Sequence, residues 1–194
     1  MDNIARLRSF ILDMTRLVER HGADEPRLLD EGEKLLRALV TQDDWLPEEF
    51  AAASPESYRQ YLLYCDPLER FSVLSFVWMP GHRTPIHDHT VWGLVGVMRG
   101  EESCEEYSSS LERKSFHILK PGEVDRVSPR IGDIHLVSNT GERTALSIHV
   151  YGANIGALQR HVFDPATGKP KDFVSGYHNR TVPNLWDRSR EARS

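Results

Sequence analysis

The sequence has no apolar run long enough to cross a bilayer, and its first residues carry no hydrophobic segment of the signal-peptide kind. Membrane insertion and export are therefore not expected. Cysteine is scarce, with Cys65 and Cys104 the only two among 194 residues. Two cysteines cannot make the disulfide framework of a small secreted domain, so a reducing cytoplasm is the expected compartment. Basic blocks are missing and the formal net charge is −5, which argues against a nucleic-acid surface. There are no internal repeats, linkers or low-complexity stretches to divide the chain. What remains is an ordinary globular composition, 39% hydrophobic and 27% charged, with enough length for one domain over residues 1–194 around a full core.

Two segments have helical periodicity. Ile4, Leu7, Phe10, Ile11, Met14, Leu17 and Val18 fall on one stripe, which predicts a helix over 3–21. His21-Gly22 is expected to end it, with the glycine in a left-handed conformation. Leu28, Leu29, Leu35, Leu36, Leu39 and Val40 predict a second helix over about 25–41. A short helix is expected to run through Ala53, and Pro55–Tyr64 fits helix or strand equally. From about residue 70 the pattern changes to short apolar runs between glycine, proline and charged turns: 71–78, 86–98, 101–107, 115–119, 123–127, 133–138, 144–151 and 158–163. Such spacing predicts a sandwich or barrel. The expectation is a helical N-terminal cap over about 1–65, a β-barrel over about 70–165, and a tail over 166–194 that docks on it through Tyr177, Leu185 and Trp186.

The most informative stretch is Gly81-His-Arg-Thr-Pro-Ile-His87-Asp88-His89. On a strand, side chains two apart share a face, so His87 and His89 would project together as half of a metal site. His135, in Gly132-Asp-Ile-His135-Leu-Val-Ser-Asn139, is the third candidate. Three neutral imidazoles suit iron, zinc, copper or nickel and leave coordination positions open. Taken alone, an H-x-H on a strand could point both rings to solvent, and His21, His117 and His178 read as surface or core residues. Ser147, His149 and Tyr151 alternate along another strand and so share a face.

These residues together resemble the cupins, and within them the thiol dioxygenases of the cysteine dioxygenase family, most of all the bacterial 3-mercaptopropionate dioxygenases. The first cupin motif runs from a glycine through H-x-H and a glutamate to a second glycine. Gly81, His87, His89 and Gly100 occupy those places, and Gly93 stands where the glutamate would be. Its loss is typical of thiol dioxygenases, which use three histidines. Gly132, His135 and Asn139 match the second motif, with Pro129 displaced by one residue. The resemblance extends from Gln42-Asp-Asp-Trp-Leu-Pro47 to Asn184-Leu-Trp-Asp187.

The resemblance implies a mainly β cupin fold, a double-stranded β-helix or jelly-roll-like barrel with an α-helical N-terminal cap. It implies one Fe(II) per chain on His87, His89 and His135. It implies a Ser147–His149–Tyr151 relay beside the iron and substrate contacts from Arg160 and Gln60. Arg59 and Arg83 are the other arginines that could meet a substrate carboxylate. The animal-type enzymes crosslink the tyrosine to a cysteine shortly after H-x-H. Thr90-Val-Trp-Gly-Leu94 holds no sulfur there, so Tyr151 should be free. The implied partners are O2 and a small thiol carboxylate, 3-mercaptopropionate ahead of L-cysteine, with no nucleic acid and no membrane. L-cysteine dioxygenase proper, a three-histidine zinc hydrolase and a non-catalytic ligand-binding cupin are the other readings the residues leave open.

Overall fold

The computed structural model describes residues 4–189 and 191–193. Two helices, α1 (Ala5–His21) and α2 (Glu25–Val40), come first. Eleven strands follow among the described residues: β1 (Arg59–Cys65), β2 (Ser72–Trp78), β3 (Ile86–His87), β4 (Gly93–Arg99), β5 (Glu102–Tyr107), β6 (Arg113–Leu119), β7 (Val124–Val127), β8 (Ile134–Ser138), β9 (Ala145–Tyr151), β10 (Arg160–Phe163) and β11 (Pro170–Phe173). They form a five-stranded sheet in the order β1-β2-β9-β4-β7 and a six-stranded sheet in the order β11-β10-β3-β8-β5-β6. The strand pairs are antiparallel in both sheets. The fold is therefore mainly β, a cupin-like double-stranded β-helix with a helical part at its N-terminal end.

The helices decide how the five-stranded sheet is read. Every residue of β2 and β9 is buried, so neither strand shows the polar face of a solvent-exposed sheet. Side-chain alternation divides them all the same. Val73, Val77, Leu146, Ile148 and Val150 pack outward into one apolar cluster with Leu7, Met14, Leu28 and Leu36 of the helices. Leu74, Phe76, Trp78 and Tyr151 face inward, into a second cluster. Close approach of α2 to β4 needs small residues: a Cβ on Gly32 would lie 2.9 Å from Leu94 Cδ1, and one on Gly96 3.0 Å from Leu36 Cγ. Gly100 turns β4 into β5 with φ +68°, and a side chain there would press on the Ala145 backbone at 2.8 Å.

Several expectations change. The helical cap ends at Val40, apart from a single 3-10 turn at Glu48–Phe50, and does not reach residue 65. Arg59–Cys65 is a strand paired with β2, Gln60 opposite Phe76. Its short apolar alternation fits either period, and pairing with β2 decides it. The run 86–98 is two strands in different sheets, because Asp88–Trp92 crosses between them. Gly22 ends α1 in the right-handed region, φ −54°, and Asp24 then caps α2 by accepting the Arg27 amide. In the tail, Leu185 is buried among the helix residues while the Trp186 ring is largely exposed. Residues 170–179 lie on the barrel through β11, through Tyr177 donating to Asn154, and through Asn179 bonding both amide groups of Leu62.

Leu36 lies fully buried between α2 and the sheet. Leu36→Ala should cost about 2–5 kcal/mol in urea unfolding through the cavity it leaves. Leu68→Ala, at a residue 73% exposed, should stay within about 0.5 kcal/mol. Equal midpoints for the two variants would mean that α2 contributes nothing to the barrel.

Candidate metal centre

His87 on β3 pairs directly with His135 on β8. His89 lies beyond the end of β3, so its orientation comes from the loop and not from strand alternation. Asp133 fixes that loop: its carboxylate accepts the backbone N–H groups of His89 (3.0 Å) and Thr90 (2.9 Å), and Thr90 takes φ +61°. The three rings meet with centroids 4.7–4.9 Å apart. One ring nitrogen from each lies within 4.8 Å of the others.

Each Nδ1 is already committed to the protein. That of His87 meets the Pro85 carbonyl at 3.0 Å, that of His89 the Asp133 carboxylate at 3.0 Å, and that of His135 the Cys104 sulfur at 3.5 Å. This leaves the Nε2 atoms, and His89 Nε2 is fully buried without a hydrogen-bond partner. A buried nitrogen lone pair with no donor facing it is costly in a folded protein and natural in a metal ligand. Burial, joined by repulsion between the rings, holds His87 and His135 neutral well below the usual histidine range, the form that ligation needs. The donor set therefore fits a divalent metal held by three nitrogens.

Across the cavity from the triad, β9 presents a continuous chain of hydrogen bonds. Ser147 Oγ is 2.8 Å from His149 Nε2, and His149 Nδ1 is 2.8 Å from the Tyr151 hydroxyl. The Tyr151 ring stacks on His89 at 5.2 Å, and His149 stacks on Phe76 at 4.1 Å. Gly93 explains how Tyr151 fits: a Cβ there would lie 2.7 Å from Tyr151 Cδ1. The tyrosine ring thus occupies the space that a carboxylate side chain at 93 would need. Cys65 and Cys104 are both free thiols.

Arg160, at the start of β10, is buried in the same cavity. Its guanidinium donates to Ser175 Oγ at 2.8 Å and lies over the Phe173 ring at 4.6 Å. Its Nε is buried without a partner, and no ion pair joins it to a carboxylate among the described residues. Gln60 also lines the cavity, but its amide nitrogen is spent on Ser175 Oγ and the Gly176 carbonyl. It therefore holds the loop that holds Arg160. Arg59 bonds Ser54 and Glu56, and Arg83 is exposed. Neither lines this cavity. His21 lies 3.7 Å from Glu31 and His178 accepts the Gln60 backbone N–H, while His117 pairs with Asp125 near Cys104. The sequence reading missed Asp133, Ser175 and Glu102. The last shares a strand face with Cys104, which was the one available signal.

The cavity is small, about 40 Å³, room for roughly three or four water-sized bodies. It suits a substrate of a few heavy atoms.

No protein-family model matches the chain. Among solved structures it is similar to the protein TT1209 from Thermus thermophilus, at 20% identity over 55% of this chain and 92% of that one, TM-score 0.46. It is also similar to a conserved protein with a double-stranded β-helix domain from Klebsiella pneumoniae, at 15% identity over 68% and 97%, TM-score 0.48. A third is an RmlC-like cupin from Methanocaldococcus jannaschii, at 16% identity over 53% and 85%, TM-score 0.43. At such identities the likeness says nothing of function, and the fold stands on the strand order described above. No helix among the described residues is long and apolar enough to cross a membrane.

Alanine at His87, His89 or His135 should abolish stoichiometric iron(II) or zinc(II) binding by the purified chain. Asp133→Ala, which frees the His89 ring, should weaken it about 10–100-fold. Metal analysis and competition with a chelator check both, and near-normal metal in any histidine variant would remove that residue from the set.

Proposed function

We propose that this protein is a mononuclear non-haem iron(II) thiol dioxygenase acting on a small thiol carboxylate, with 3-mercaptopropionate preferred to L-cysteine. The observation that carries the reading is one small cavity bounded by three kinds of group. These are a three-nitrogen donor set that reaches the cavity through His87 and His135, the Tyr151 hydroxyl at the end of its chain, and a buried guanidinium with no carboxylate partner. The net reaction adds O2 to R–SH and gives R–SO2H, so the thiol supplies the electrons and no outside reductant is needed. Iron(II) held by His87, His89 and His135 would supply the redox chemistry that couples the thiol to dioxygen.

The remaining steps belong to the chain. Arg160 meets the carboxylate. A buried cation without a counter-ion is expensive, so an anionic substrate gains both the Coulomb attraction and a bidentate pair of bonds. Gln60, through Ser175, keeps that guanidinium aimed into the cavity. Tyr151 orients and exchanges a proton at the sulfur end, and Phe76, Trp78 and Ile155 keep water out. A substrate fixed at both ends reacts without a search for geometry. An amine has no anionic partner waiting among the cavity-lining residues, which include no Asp or Glu. That asymmetry favours a thiol carboxylate lacking an amino group.

Oxygen-electrode assays of the iron-loaded protein should give a kcat/KM at least about tenfold higher for 3-mercaptopropionate than for L-cysteine, roughly 1.4 kcal/mol in transition-state binding. A ratio at or below one would reject the substrate preference. No thiol-dependent oxygen uptake at all would reject the class and favour hydrolytic or non-catalytic use of the site. Arg160→Ala should raise KM for both carboxylates by roughly tenfold to a hundredfold, about 1.5–3 kcal/mol, and should leave cysteamine little changed. Equal losses on all three thiols would mean that Arg160 acts on folding or on the metal.

A further inference from the structure

One buried carboxyl, Glu102 on β5, touches neither the metal ligands nor the substrate cavity. It is 1% exposed. Its Oε2 lies 2.6 Å from Ser147 Oγ, joining the inner end of the Ser147–His149–Tyr151 chain. Its Oε1 is buried and has no hydrogen-bond partner, although His149 Nε2 is 3.8 Å away. A bare carboxylate oxygen in that place costs more than the carbonyl oxygen of a neutral acid. Burial accordingly pushes the Glu102 carboxyl up to about 7, opposed by the hydrogen bond from Ser147 and helped by the charge of Asp125, with a smaller opposing effect from the nearby Trp78 indole.

The donors and acceptors can be ordered completely. Trp78 Nε1–H can only donate, and it gives its proton to Ser147 Oγ at 3.2 Å. Ser147 is left with one proton to give and one to receive, shared between Glu102 and His149. Two arrangements satisfy every atom of the chain except Glu102 Oε1. With Glu102 protonated, it donates to Ser147, Ser147 donates to His149 Nε2, and His149 Nδ1–H donates to the Tyr151 oxygen. The Tyr151 hydroxyl proton then points to the cavity. With Glu102 ionised, all three bonds reverse, and Tyr151 shows the cavity only lone pairs.

We propose that Glu102 is the inner terminus of a proton wire whose outer terminus is the Tyr151 hydroxyl. When a proton leaves Tyr151 for a base in the cavity, the Nδ1 proton crosses to the Tyr151 oxygen. The Ser147 proton crosses to His149 Nε2, and the Glu102 proton crosses to Ser147. One proton has left, three have each crossed one hydrogen bond, and the negative charge rests on Glu102. Burial works against charge at the intermediate stations: it keeps His149 neutral and resists ionisation of Tyr151. The titratable groups around Glu102 are Cys104 on its own strand, His117 on β6 bonded to Asp125 on β7 at 2.8 Å, and His149 on β9. Burial also holds the Cys104 thiol protonated. The wire is a property of the chain and stands whichever metal or substrate the cavity takes.

The test is NMR on the full-length chain labelled with 15N-histidine and 13C-glutamate, metal-free and again with diamagnetic zinc(II). In the wild type the Glu102 carboxyl carbon should titrate with a midpoint of about 7. His149 should pass with the same midpoint from the Nδ1–H tautomer on the acid side to the Nε2–H tautomer on the alkaline side. Glu102→Gln should make the His149 tautomer independent of pH. Ser147→Ala should leave Glu102 titrating and His149 no longer following. If Glu102→Gln fails to fold, the wild-type and Ser147→Ala curves decide by themselves. A His149 tautomer that stays constant while Glu102 titrates overturns the wire, as does coupling that survives in Ser147→Ala.

Discussion

The cavity depends on one constraint: polar side chains taken out of water must find partners, and here those partners come from both sheets. A buried imidazole, hydroxyl or carboxyl is tolerable only when its donors and acceptors are matched. The six-stranded sheet supplies His87, His135 and Glu102, and the five-stranded sheet supplies Ser147, His149 and Tyr151. Neither sheet could hold its own set alone, since Glu102 on β5 meets Ser147 on β9 across the interior. Among the described residues the few buried side-chain polar atoms left over are His89 Nε2 and Arg160 Nε at the site and Glu102 Oε1 at the inner end of the chain that leads from it. Unmatched polar atoms concentrated at one place mark where a metal, an anion or a proton is to be received.

The helices make this interior possible. A strand that carries Ser147, His149 and Tyr151 on one face has only its other face left for packing. Leu146, Ile148 and Val150 take that role against α1 and α2. The apolar stabilisation of β9 thus comes from outside the barrel, which releases its inner face for chemistry. Small residues at Gly32 and Gly96 bring α2 close enough to seal that layer.

A second steric choice sets the donor count. Tyr151 fills the place beside Gly93, where even a Cβ would meet its ring at 2.7 Å. With glycine at 93, the candidate donor set is three imidazoles with no carboxylate, and a tyrosine hydroxyl reaches the cavity. The same trade leaves positive charge uncompensated at the site, both on a bound divalent metal and on Arg160. On the proposed reading, an anionic thiol carboxylate would answer both.

Much of this was legible in the sequence because local periodicity carries it. The stripes of α1 and α2 gave two helices nearly to the residue, and alternation in Ser147-Ile-His-Val-Tyr151 put three polar side chains on one face. The H-x-H and the separate His135 named the donor set that the fold brings together. Other features were not legible, since they depend on residues far apart in the chain. Whether Arg59–Cys65 is helix or strand was decided by β2 beside it, not by its own pattern. His89 was read as a strand residue, yet its ring is aimed by Asp133, forty-four positions away. Gln60 matched a substrate-contact position and lines the cavity, yet its amide nitrogen is taken by a tail more than a hundred residues distant. Glu102 drew no attention in the sequence, and only the packing of two sheets buries it. The sequence by itself determined which side chains share a strand face or a helix stripe, because that is fixed by backbone geometry over a few residues. Only the tertiary structure decided which of them are dry and bonded to what, because burial and partnership are properties of contacts between distant segments.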